Sequence, residues 1–82
     1  LRQATAKIAA LELLAIEETI AALDYDALAR AVDAVDVADR IVLFGVGASG
    51  LVAADLGQKL LRIGRLAVVA SDSHEATAVA AL

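Results

Sequence analysis

Apolar positions divide the chain into a long helical stretch and then an alternation of short apolar runs with helical segments. From residue 2 to about 22, Ala9, Leu13, Ile16, Ile20 and Leu23 recur at helical spacing. Leu11 and Leu14 lie well off that stripe. A helix apolar on more than one face is buried on more than one face. Two readings follow: a packed core helix, or a helix with one face on a second subunit. Asp24 or Asp26 can cap a second helix over about residues 26 to 38. Leu28, Val32 and Val35 form its stripe, with Ala31 and Ala38 alongside. Asp33, Asp36 and Asp39 fall outside it and read as solvated carboxylates rather than catalytic ones.

Ile41-Val42-Leu43-Phe44 is a continuous apolar run ending at Gly45. Its β-branched content and glycine stop predict a strand buried on both faces. Leu51 to Ile63 reads as a helix with Val52, Leu56, Leu60 and Ile63 on one side, and Gly64 as its stop. Leu66 to Ala70 is a second buried strand. Asp72 and Glu75 have capping-box spacing, which predicts a helix from about Ser73. Strand, helix and strand make a βαβ unit with a right-handed crossover. Two parallel strands do not make a stable sheet, so more strands are expected past Leu82.

Composition narrows the classes. Eighty-two residues allow one small domain. Many apolar residues are alanines, and one Phe and one Tyr are the only aromatics, so the core is thin. The chain starts on Leu1 and contains no Met, so it is expected to be a piece of a longer protein. Seven Lys and Arg stand against eleven Asp and Glu, with no basic stripe for nucleic acid. Without Cys there is no disulfide framework or thiol chemistry. No apolar run approaches ~20 residues, and no signal peptide is visible, which makes the cytoplasm the default compartment.

Candidate chemistry gathers in two loops. Gly45-Val46-Gly47-Ala48-Ser49-Gly50 sits between a strand and a helix. Glycines let the backbone turn tightly and let a ligand approach, while the next helix points free N–H groups and its positive dipole end at the same place. That arrangement is a phosphate cradle. The plain alternative is a tight turn with Ser49 as N-cap. The letters also match G-x-G-x-x-G, and Asp72, 22 residues after Gly50, is near the position of a ribose-binding acid. The second loop is Ser71-Asp72-Ser73-His74-Glu75, at the same carboxyl edge of the strands. His74 is the only histidine and there is no Cys, so no zinc site is indicated, and the serines lie in loops with no nucleophile elbow, so neither is a Ser-His-Asp triad.

At these loops the sequence resembles the sugar isomerase (SIS) domain, most narrowly that of RpiR-type transcriptional regulators. The matching stretch is Ile41–Ser73, extended by His74. It holds the glycine-serine loop, Lys59-Leu60-Leu61-Arg62-Ile63-Gly64 at the helix end, and Ser71-Asp72-Ser73-His74 after the second strand. Residues 1–40 fit more loosely, as a helical lead-in. The resemblance implies an α/β fold, a three-layer α-β-α parallel sheet, of which residues 41–82 would be the N-terminal half with the first two strands. It implies phosphosugar binding through Gly45, Gly47, Ala48, Ser49 and Gly50, with Ser73 and His74 facing the sugar. No cofactor or metal is implied. A Ser/Thr-rich loop after the third strand would lie past Leu82. DNA would be held by a helix-turn-helix domain before Leu1.

The leading expectation is therefore a phosphosugar sensor of a transcriptional regulator, without catalytic turnover. The alternatives are an aldose–ketose phosphate isomerase, with His74 or Glu75 as base, and a dinucleotide-binding module. A homo-oligomer is expected, with the first helix and a strand edge at the interface.

Overall fold

The computed structural model describes residues 1–82. Its elements are α1 (Arg2–Ala22), α2 (Tyr25–Val37), β1 (Ile41–Leu43), α3 (Ala48–Arg62), β2 (Ala67–Val69) and α4 (Ser73–Ala80). They fall into two compact units, Leu1–Asp33 and Ala34–Leu82.

The first unit holds α1 and most of α2. Of the two candidate caps, Asp24 is the one used: its Oδ1 accepts from the Ala27 N–H at 3.0 Å, and its carbonyl from the Leu28 N–H at 2.9 Å. The Tyr25 hydroxyl donates back to the Ile20 carbonyl at 3.2 Å. No residue of α1 or α2 is buried. The core-helix reading of α1 is thus corrected. Its apolar residues are spread around the whole circumference, so no single face concentrates burial.

In the second unit β1 and β2 pair in parallel, with Ile41 opposite Ala67, Val42 opposite Val68 and Leu43 opposite Val69. The Ile41 N–H donates to Leu66 O at 2.9 Å and the Ala70 N–H to Leu43 O at 2.8 Å, bracketing the ladder. Neither strand is buried on both faces as expected. β1 is half-buried throughout, Phe44 and Val69 are exposed, and Ala67 alone in β2 is buried. Each strand has a neighbour on one side only, so its outer side stays open.

α3 contacts both strands through Ala53, Gly57 and Leu60. A Cβ on Gly57 would lie 2.7 Å from Val69 Cγ2 and 3.4 Å from Leu43 Cδ1. Small residues therefore mark the packed face. The expected stripe of Val52, Leu56, Leu60 and Ile63 is corrected: only Leu60 is buried, and Val52 is 69% exposed. α3 ends where the glycine signal put it. Gly64, at φ +83°, donates to Leu61 O at 3.0 Å, and Arg65 donates to Leu60 O at 2.9 Å, a Schellman stop. Arg65 also pairs with Asp36. α4 is capped by Asp72, whose Oδ1 accepts from the Glu75 N–H at 2.7 Å. The Glu75 carboxylate reaches back one residue further than a capping box requires, accepting from the Ser71 hydroxyl and its N–H.

The expected three-layer α-β-α sheet is corrected as well. The chain is about 70% helical, with four helices and two three-residue strands. The apolar runs that predicted strands pair over only three positions. Each strand has a single neighbour, and three ladder pairs form no central layer.

Gly57→Leu is expected to destabilise the second unit by a net ~1–2 kcal/mol. Overpacking costs roughly 1–3 kcal/mol, against about 0.8 gained in helix propensity. Val52→Ala should stay within ~0.5 kcal/mol. Urea titration followed by far-ultraviolet circular dichroism checks this, and equal losses would show that the wrong face has been assigned.

Candidate functional site

Leu43 and Val69 are the last paired positions, so the chain leaves both strands side by side at one edge. The two candidate loops start there. Gly45 passes under the first turn of α3. A Cβ on it would lie well under 3.0 Å from the Ser49 carbonyl carbon and oxygen, and one on Gly50 would lie 3.0 Å from Gly45 O. Gly47, at φ +61°, takes the left-handed turn and is the N-cap of α3, with no side-chain cap bond.

This start is three residues earlier than expected, and it changes the role of Ser49. Ser49 lies inside the first turn and is not the cap. Its N–H donates to Val46 O at 3.2 Å, and the Gly50 N–H donates to Gly47 O at 3.0 Å. Two donors assigned to a ligand are thus already occupied. The N–H groups of Gly47 and Ala48 and the Ser49 hydroxyl have no partner within the chain. Neither loop contains Lys or Arg. Only backbone N–H groups and the helix dipole would favour an anion there.

Ser73 and His74 open α4 and are exposed. The Ser73 carbonyl accepts from the Thr77 hydroxyl at 2.9 Å, a partner the sequence reading missed. His74 has no hydrogen-bonded acid to orient it as a base. Asp72, the candidate ribose acid, is committed to capping α4. No three His, Cys, Asp or Glu side chains converge on a metal-sized site. Two concavities lie away from the loops. One runs along Leu1, Arg2, Thr5, Ala6 and Ala9, and the other lies beside Lys59, Arg62 and Ile63.

Curated proteins of similar sequence share one description. A protein of Providencia stuartii is 38% identical over 72 residues, which are 88% of this chain and 26% of that protein. One of Bacillus subtilis, YbbH, is 41% identical over 83% of this chain and 24% of its own length. One of Haemophilus influenzae is 44% identical over 72% of this chain and 20% of its own length. All three are named as uncharacterized HTH-type transcriptional regulators. The chain's relatives are HTH-type transcriptional regulators. It spans about a quarter or less of the length of these relatives. No family model and no solved structure matches it.

The expected phosphosugar sensor is corrected by these relatives, and so are its isomerase and dinucleotide alternatives. Their names speak of HTH-type transcription regulation and of no sugar phosphate. The glycines that suggested a phosphate cradle have a sufficient cause in the chain itself: Gly45 must clear the Ser49 backbone, and Gly47 must adopt positive φ.

Gly45→Ala should cost roughly 1–3 kcal/mol by overpacking against backbone. Ser49→Ala, at an exposed hydroxyl without a partner, should cost under ~0.5 kcal/mol. Thermal denaturation of the two variants checks this. A harmless Gly45→Ala would show that the close approach at the loop is not real.

Proposed function

We propose that this chain works as part of an HTH-type transcriptional regulator, with DNA as the partner of that regulator and the cytoplasm as its place of action. The observation that carries this is the agreement of relatives that are 36–44% identical over 72–88% of the chain, all named as such regulators.

Charge bears on how the DNA is held. Duplex phosphates are met by Lys and Arg that displace counterions. This chain carries seven cations against eleven anions, and two of those cations, Lys59 and Arg65, are paired with Asp55 and Asp36. Tight DNA binding is therefore a property expected of the whole regulator, with only weak binding by the 82 residues alone.

The carboxyl edge has its own place in this reading. Gly47, Ala48 and the Ser49 hydroxyl, with Ser73 and His74 at the adjoining helix start, would meet a small anion, and Gly45 and Gly50 would shape the loop that holds them. The unpartnered N–H groups of Gly47 and Ala48 and the free Ser49 hydroxyl support that role.

Selection of genomic fragments by the full-length regulator should enrich defined sites, with affinity falling steeply as salt rises. Failure of the full-length protein to retain DNA even at low salt would overturn the reading. Titration of the chain with sodium sulfate against sodium chloride, followed by amide NMR shifts, should move Gly47 and Ala48 first. Identical shifts in the two salts would remove the anion role.

A further inference from the structure

We infer that α1 binds α1 of a second copy in antiparallel orientation, through the face formed by Lys7, Leu11, Leu14 and Glu18. This goes beyond membership of a regulator, because it names the surface, the partner and the register.

The helix needs a partner that this chain does not supply. α1 has 21 residues and none is buried, with Leu11 57% and Leu14 50% exposed. Helices that are apolar all round belong in buried settings.

The charges say which partner. Lys7, Leu11, Leu14 and Glu18 are spaced 4, 3 and 4, which keeps them on one helix face. Read from the other end, the same face is acid, leucine, leucine, base. An antiparallel copy in register therefore sets Lys7 against Glu18 and Leu11 against Leu14, twice over by the two-fold axis. Ala4 and Ala21, and likewise Ala10 and Ala15, fall opposite each other in that register and permit close approach. Glu12 and Glu17 fall off the face, so no like charges meet on the axis.

Nothing inside the chain accounts for this charge order. Neither Lys7 nor Glu18 is in an ion pair. The first turn carries no acid and the last turn no base. Arg2 and Lys7 lie in the N-terminal part of α1 and Glu17 and Glu18 in its C-terminal part. The order makes no ion pair within the helix and is complementary for an antiparallel pair.

Sedimentation equilibrium of the chain and four variants tests this. The unaltered chain should sediment at about twice its 8.4 kDa mass. Lys7→Glu or Glu18→Lys turns both opposed pairs repulsive and should raise the dimer Kd roughly tenfold. The double variant restores opposite charges and should return Kd to near its original value. Leu11→Asp should leave only monomer. Parallel pairing would set Lys7 against Lys7, and the double swap would then rescue nothing. A monomer at all concentrations, unaffected single variants, or a double variant as weak as the singles would each overturn the inference.

Discussion

At Gly57 the backbone of α3 comes close enough to Val69 and Leu43 that no side chain fits between them. The second unit is arranged around this approach. Ala53 and Leu60 are buried one turn to either side, and Ala67 and Ala70 complete the covered surface on and just beyond β2. A core of alanines and one leucine gains little area per residue, so proximity has to replace bulk. Apart from Leu60, the packed positions of α3 are its small ones.

The same economy of space explains the loop before α3. The strand end runs beneath the helix start, and Gly45 is the residue that lets it do so. A glycine run between strand and helix answers two different demands, a bound phosphate or a close crossing of backbone, and the letters are identical for both. Here the crossing accounts for Gly45 and the positive φ for Gly47. The N–H groups of Gly47 and Ala48 remain as the part that local geometry does not use.

The starts of α2 and α4 and the end of α3 were legible because they are written in local chemistry, while α3 begins three residues before the expected Leu51. Asp24 and Asp72 each accept an N–H three residues on, and Gly64 adopts the left-handed conformation that a helix stop requires. The packed face of α3 was not legible, because a periodicity of large apolar residues points to Val52 and Leu56 while the contact is made by Ala53 and Gly57. The extent of the sheet was misjudged for a related reason. An apolar run shows that a segment is fit to pair, but how many residues do pair depends on how many neighbours it has. Ser73 and His74 open α4, and no hydrogen bond within the chain engages their side chains. No single side chain of this segment marks out a process, and its similarity is to short stretches of longer proteins.

Both ends of α3 are held. At its start, Gly45 is wedged against the Ser49 backbone. At its end, the Leu60 carbonyl receives the N–H groups of Ile63 and Arg65 while the Leu60 side chain sits in the core. Arg65 in turn grips Asp36 at the tail of α2. The helix is therefore fixed at both termini by backbone contacts, a close crossing at its start and a Schellman stop at its end, which leaves its middle free to be built from small residues.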